Sequence, residues 1–113
     1  MANMIKLPYE DGGNLALNVD GAIDVTLVGT DQLNIDYDVY GWTLGEYIQV
    51  QLTFTTGGPI SDLDQDDADA LLATIKRASQ APNSQPIFQP NAGNMHPNTI
   101  ASAGGIVVDD VTP

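Results

Sequence analysis

The stretch YIQVQLTFT, residues 47–55, alternates apolar and polar side chains without interruption. Ile48, Val50, Leu52 and Phe54 fall on one side, and glutamine or threonine fills each position between them. Successive side chains of a β-strand point to opposite faces, so this pattern predicts a strand with one buried and one solvated face. A sheet with one solvated face is typical of antiparallel folds.

Three earlier segments show the same alternation. Turn residues precede each of them, at Asp11–Asn14, Asp20-Gly21 and Gly29–Asp31, and glycine, aspartate and asparagine favour tight turns. Short strands joined this tightly predict an antiparallel meander. The apolar positions are Leu15, Leu17 and Val19, then Ile23, Val25 and Leu27, and then Leu33, Ile35, Tyr37 and Val39 in the segment QLNIDYDV.

The run SDLDQDDADALL, which follows the last of these strands, places five aspartates close together. One interpretation is a calcium loop of the EF-hand type. That motif needs glycine at its sixth position and glutamate at its twelfth, where this chain has Asp67 and Ala73. A divalent-cation site therefore stays only as an alternative. Its ligands would be Asp62, Asp64 and Asp66.

The same run fits the start of an amphipathic helix. Ser61 or Asp64 can act as the N-cap, and acids in the first turns are stabilised by the helix dipole. Lys76 and Arg77 fall in the last turn, where the dipole favours cations. We expect a helix from about Leu63 to Gln80. Its apolar stripe comprises Ala68, Leu71, Leu72, Ile75 and Ala78.

The predicted fold class is α+β. Residues 1–80 form a core domain, an antiparallel meander of four to six strands with the helix packed on its apolar face. Residues 81–113 are predicted to be an extended C-terminal arm. Most of this segment is rich in proline, asparagine, serine and glycine and shows neither the helical nor the strand period. Two apolar segments, Pro86–Phe88 and Ile106–Val108, suit an edge strand of this sheet or of a neighbouring molecule. The sequence leaves open which of the two the arm docks on.

Charge limits the partners of this chain. Its 113 residues include fifteen acidic and three basic side chains, which gives a net charge of −12. This charge repels phosphates and anionic lipids, so neither nucleic acid nor a membrane is an expected partner. It favours solubility and docking on a basic surface. The sequence shows no signal-peptide or membrane-span pattern, which predicts a soluble chain that is not exported by the usual route.

The residue patterns do not indicate catalysis. The sequence has no cysteine, and its single histidine, His96, lies in a stretch rich in proline and asparagine without a second histidine to complete a metal site. It also lacks the glycine motifs that bind dinucleotides or phosphates, and the nucleophile elbow of hydrolases. We therefore expect a chain that is not an enzyme and uses no cofactor.

Three features of the first eighty residues occur together: the opening MANMIKLP, the turn Gly12-Gly13-Asn14 that leads into NLALNVDGAI, and the acid-headed, alanine-rich helix DADALLATI. In this layout the chain resembles small virion structural proteins of tailed bacteriophages, particularly those of marine and cyanobacterial hosts. The resemblance implies a short protein without enzymatic activity that decorates the capsid or is another accessory part of the particle. The arm after the helix departs from that layout.

We therefore predict a non-enzymatic capsid decoration (cement) protein that stabilises the phage head by binding the major capsid protein and copies of itself. It would be soluble in the host cytoplasm before assembly. Afterwards it would lie on the outer capsid surface, away from the packaged phosphates. The alternative is a free-standing acidic binding module for a basic partner protein or a divalent cation. The residues expected to contact a partner are Tyr40, Trp42, Ile87, Phe88, Ile106, Val107 and Val108.

Overall fold

The computed structural model describes residues 3–38, 46–81 and 85–109. Within these residues it has a two-stranded and a four-stranded sheet, both antiparallel, and one helix. The predicted α+β class is confirmed. In chain order the elements are β1 (Met4–Pro8), β2 (Asn14–Asn18), β3 (Ala22–Val28), β4 (Gln32–Asp38), β5 (Glu46–Phe54), α1 (Gln65–Gln80) and β6 (Ile100–Asp109).

The larger sheet is a meander in which the strands lie in the order β3-β4-β5-β6. β5 is an interior strand, and its Leu52 lies opposite Leu33 of β4 and Ala103 of β6. β1 and β2 form a separate hairpin. The helix contacts both β3 and β1, so it packs against the two sheets at once.

Glycines form the turns that the sequence predicted. Gly12 and Gly21 have φ angles of 95° and 77°, a region that side chains other than glycine rarely adopt. The first turn is closed by the Tyr9 amide, which donates to the Gly13 carbonyl at 2.7 Å. The turn at Gly12 joins the paired strands β1 and β2, whereas the turn at Gly21 leads from β2 into β3, the first strand of the larger sheet.

The first strand of the meander departs from the predicted alternation. Ala22 pairs with Tyr37 and Asp24 pairs with Asp36, so Ile23 is an extra residue between two paired positions. Such a bulge turns the side chain of the extra residue away from its expected face. Ile23 is 62% exposed, whereas Val25 is buried. The prediction that Ile23 shares a buried face with Val25 is therefore wrong.

The helix begins at Gln65, two residues after the predicted start, because Asp64 is its N-cap. Oδ1 of Asp64 accepts the Asp67 amide at 3.2 Å, and Oδ2 of Asp67 accepts the Asp64 amide at 3.0 Å. This reciprocal capping box satisfies two amides at the helix start. The apolar stripe is confirmed, with Ala68, Leu71, Ile75 and Ala78 buried, Leu72 partly buried and Thr74 also on the buried side.

The chain after the helix returns to the same core. The Phe88 ring packs edge-on against Phe54, with 6.2 Å between ring centroids. Ile100 is 1% exposed and begins β6, which pairs with β5. Ile106–Val108 therefore form an edge strand of the chain's own sheet, which is one of the two alternatives that the sequence left open. The buried apolar residues are Ile5, Leu7, Val19, Val25, Leu33, Ile35, Tyr37, Leu52, Phe54, Leu63, Ala68, Leu71, Ile75, Ala78, Phe88 and Ile100.

Asn98 holds this returning segment in place. Its side chain is fully buried, and Nδ2 donates to the carbonyls of Thr55 and Ser61, each at 2.8 Å. Its Oδ1 accepts from Nδ2 of Asn91 at 2.7 Å. One side chain thus joins the end of β5, the loop before the helix and the loop before β6. The buried amide of Asn98 needs such partners because water cannot reach it.

We expect Asn98→Ala to lower the free energy of unfolding by about 2–4 kcal/mol, because it removes three hydrogen bonds of a fully buried side chain, to the Thr55 and Ser61 carbonyls and the Asn91 amide. Urea unfolding measures the change. Asn94→Ala is the matched control, since Asn94 is an exposed asparagine in the same loop, and it should change stability by less than about 0.5 kcal/mol. Equal effects of the two substitutions would contradict the assigned role of Asn98.

We expect Asp64→Ala to lower the free energy of unfolding by about 1 kcal/mol, because the Asp67 amide loses its acceptor at the helix start. Asparagine caps helices as well as aspartate does, so the stability of the Asp64→Asn variant should be close to that of the unsubstituted chain. Thermal unfolding followed by circular dichroism at 222 nm measures both. A loss of the same size in the asparagine variant would assign the effect to charge rather than to capping.

Candidate functional site

The predicted contact residues lie in different environments. Tyr40 and Trp42 lie outside the described residues. Ile87 is 60% exposed, and its neighbours tie it to β1: the Lys6 amide donates to the Pro86 carbonyl, and the Phe88 amide donates to the Lys6 carbonyl. Phe88 is 5% exposed and belongs to the core, where a partner cannot reach it while the chain stays folded. Ile106, Val107 and Val108 lie in β6, opposite Gln49, Ile48 and Tyr47.

β6 is the longest described strand and lies at the end of the sheet, paired with β5 alone. Its other side is met only at Ile100, which forms a bridge to Tyr9 within the described chain. From residue 101 to 109 this second side has no strand beside it among the described residues. We call this side of residues 101–109 the free edge of β6. An edge strand presents unpaired amides and carbonyls, which a strand from another chain can pair with.

The free edge of β6 lacks several features that block strand addition. Residues 100–108 carry no charge and no proline. Side chains from Ala101 to Gly104 are small and exposed. The one irregularity is a bulge near the start of the strand, where Thr53 pairs with Ser102 while Phe54 pairs with Ile100. Natural edge strands are usually short, charged or covered, so this one is open to a partner strand.

A depression lies at the start of the free edge. It has a volume of about 310 Å³ and is lined by Tyr9, Glu10, Asp11, Ile100 and Ala101. Glu10 and Asp11 are exposed at its rim, and Oδ1 of Asp11 accepts the Gly13 amide at 2.9 Å. The depression exists because the bridge between Tyr9 and Ile100 brings the turn after β1 against the first residues of β6. Both rim residues are acidic, so the formal charge of the depression is negative.

Hydrogen bonds join the side chains on the polar face of the sheet. Gln49 donates to Asp36 at 2.8 Å and accepts from Gln51 at 3.2 Å. Gln32 donates to Asn34 at 2.7 Å. These cross-strand and same-strand contacts confirm the polar side of the alternation that the sequence showed. They also occupy polar groups that would otherwise be available to a partner.

The acidic run serves the helix start. The carboxylates of Asp64 and Asp67 each accept a backbone amide in the capping box. Burial raises the pKa of Asp67, and the nearby charge of Asp64 adds to this effect while the backbone hydrogen bond opposes it. No group of three or more histidine, aspartate or glutamate side chains within the described residues is arranged to hold a metal ion. His96 is exposed in the loop before Asn98.

Tyr37 is a buried tyrosine with a raised pKa. Its hydroxyl donates to the Asn18 carbonyl at 2.7 Å, which ties β4 to the end of β2. Burial, and to a lesser degree the carboxylate of Asp20, raises its pKa to about 12. Asn18, Asp20, Tyr37 and Val50 line an open depression of about 250 Å³. Tyr37 stays protonated here and acts as a donor to the backbone.

Comparison of the chain with models of protein families, with curated proteins and with solved structures found no match. No helix in the described part of the chain is long and apolar enough to cross a membrane.

The sequence predicted Ile106, Val107 and Val108 as contact residues, and these lie in β6, but it did not indicate the depression at the start of that strand. Tyr9, Glu10 and Asp11 lie in a turn signal near one end of the chain, and Ile100 lies near the other end. A local pattern cannot indicate that these two segments meet. It also missed Asn98, since a single asparagine before a strand is common in turns and carries no sign of burial.

The raised pKa of Tyr37 predicts how stability depends on pH. The unfolded chain loses this proton near pH 10.0, whereas the folded chain holds it up to about pH 12. The stabilising contribution is complete below pH 10 and is lost as the pH rises through 12, because unfolding releases the proton in that window. The loss should be on the order of 2 kcal/mol.

Urea unfolding between pH 9 and pH 12 measures this dependence, with Tyr37→Phe as the control that lacks the titrating group. The difference in stability between the two proteins should shrink across the window. Tyrosinate absorbance near 295 nm, taken as the difference between the two proteins, gives the pKa directly. A transition of Tyr37 centred at pH 10 would contradict the assigned environment.

Proposed function

We propose that the chain is a non-enzymatic structural protein of a tailed-phage particle, which decorates the head by binding the major capsid protein. The observation that carries this proposal is the free edge of β6. It offers nine residues of backbone, at positions 101–109, to a second chain. Pairing along such an edge gives affinity through main-chain hydrogen bonds and does not need a deep pocket.

The location on the particle follows from charge. A chain with a net charge of −12 is repelled by packaged DNA. Binding to the outer surface of the head is therefore more favourable than binding to the inner surface. In the proposed order of events, the chain is first soluble in the host cytoplasm. It then binds to the head during or after assembly. Copies of the chain on adjacent capsid subunits would then lie near one another and strengthen the shell through many weak contacts.

The buried polar side chains support a structural rather than a catalytic role. Asn98 holds three segments together. The hydroxyl of Thr74 donates to the Ala70 carbonyl at 2.9 Å and accepts from Arg77. Asn34, which is also buried, accepts from Gln32 on the polar face of the sheet. Each of these groups holds the fold, and none of these hydrogen bonds involves the depression at the start of β6.

Particles of the phage that encodes this chain provide the test. We expect antibodies against the chain to detect it in purified, intact heads at a fixed ratio to the major capsid protein. Heads from a phage with the coding sequence deleted, here called chain-free heads, should bind the purified chain until a plateau at that ratio. They should release DNA at a lower temperature than complete heads, because the proposed role is to stabilise the shell.

Two outcomes would count against the proposal. The first is absence of the chain from purified particles together with no binding to chain-free heads. The second is recovery of the chain only in the particle-free fraction, bound to a basic protein, which would favour the free-standing acidic binding module. Truncation after residue 80 is a poor test, because it removes the buried side chains of Phe88, Asn98 and Ile100 and so damages the core.

A further inference from the structure

We infer that the partner contributes an extended segment that pairs with the free edge of β6 and places a lysine or arginine side chain in the depression beside Tyr9. This inference rests on the proposed function, since it names the chemistry that the partner presents at the same edge. It adds a position for one basic side chain and a type of backbone contact, neither of which follows from decoration alone.

The edge fixes the length and shape of the partner segment. About half of the residues from 101 to 109 direct their amide and carbonyl groups outward, as in any edge strand. A segment of matching length spans roughly 30 Å. Because the side chains of Ala101, Ser102, Ala103 and Gly104 are small and exposed, they leave room for the partner's side chains on both faces. A Cβ atom added at Gly104 would meet nothing within 4 Å, so packing within the chain does not require glycine there.

The depression determines which type of side chain the partner segment can place at the Ile100 end of the free edge. The bridge between Tyr9 and Ile100 closes the edge, and the chain then turns away through Glu10 and Asp11. A partner residue that reaches this end meets two carboxylates and the Tyr9 side chain, which together line the depression with Ile100 and Ala101. Its volume of about 310 Å³ corresponds to roughly ten water molecules, enough for one long side chain. Carboxylates and an aromatic ring are the groups that bind ammonium and guanidinium ions.

Charge also decides between a basic partner and a second copy of this chain. Full-length antiparallel pairing of two β6 strands would bring Asp109 of one copy to the register position beside Ile100 of the other. That position adjoins Glu10 and Asp11, so like charges would meet at both ends of the pair. The two copies would also each carry a net charge of −12. A basic segment from another protein meets neither obstacle.

Binding of the full-length purified chain to chain-free heads tests the inference. Two variants remove the proposed contacts: Glu10→Gln with Asp11→Asn neutralises the depression, and Ser102→Lys places a cation on the edge strand. Asparagine at position 11 keeps an oxygen for the Gly13 amide. The matched controls are Asp62→Asn with Asp66→Asn, an equal change of net charge at two exposed aspartates near the helix start, and Ser102→Thr, an uncharged substitution at the same exposed edge position.

We expect each of the two test variants to weaken binding about tenfold or more, with unfolding curves unchanged. Each control should bind within about threefold of the unsubstituted chain. Added salt should weaken binding of the unsubstituted chain to the heads more than binding of the Glu10→Gln, Asp11→Asn variant. The variant has already lost the ion pair that salt screens. Sedimentation equilibrium of the free chain should give a monomer.

The remaining outcomes separate the two proposals. If the unsubstituted chain does not bind chain-free heads, the proposed function fails and takes this inference with it. If the chain binds but the neutralised depression and its control weaken binding equally, only long-range charge acts and the inference is overturned. It is overturned as well if Ser102→Lys binds normally, or if the free chain forms a dimer that Ser102→Lys dissociates.

Discussion

The structure depends on covering one apolar face of a four-stranded antiparallel sheet. Antiparallel sheets of this kind are stable when one face is removed from water, since burial of apolar surface contributes roughly 25 cal/mol per Å². The helix lies against β3 and the β1-β2 hairpin, and Phe88 packs on Phe54 of the interior strand. The irregular segment after the helix is therefore part of the cover. Its path over the sheet also determines where the last strand lies.

Bringing an irregular segment into a core creates a second requirement. Its carbonyls and amides have no ladder to join, and each one buried without a partner costs free energy. Asn98 meets this requirement for Thr55 and Ser61. Beside it, Thr55 and Thr99 exchange hydrogen bonds, with the Thr55 amide 2.8 Å from the Thr99 carbonyl. These polar contacts fix the entry into β6, so the same group that stabilises the core also sets the register of the edge strand.

The meander order then produces the candidate contact surface. A sheet that ends on its last strand leaves one side of that strand open, and β6 is both long and uncharged up to Val108. The bridge to Tyr9 covers only its first residue and places Glu10 and Asp11 at the end of the open side. The high negative charge of the whole chain opposes association of two copies. The uncharged edge and its acidic surroundings are the basis for the proposed basic partner.

The sequence by itself determined the elements whose signals are local. Strict alternation from Ile48 to Phe54 specified a strand with one buried face, and the acids around Asp64 specified a helix start, because both patterns follow from backbone geometry over a few residues. Only the tertiary structure decided that Phe88 is buried, that Ile23 is turned outward by a bulge, and that β6 pairs with β5 in its own sheet. Each of these outcomes depends on contacts between residues far apart in the chain. Periodicity and composition describe only neighbouring residues, so they do not indicate which distant segment completes the core. That outcome depends on how the apolar surfaces pack in the folded chain.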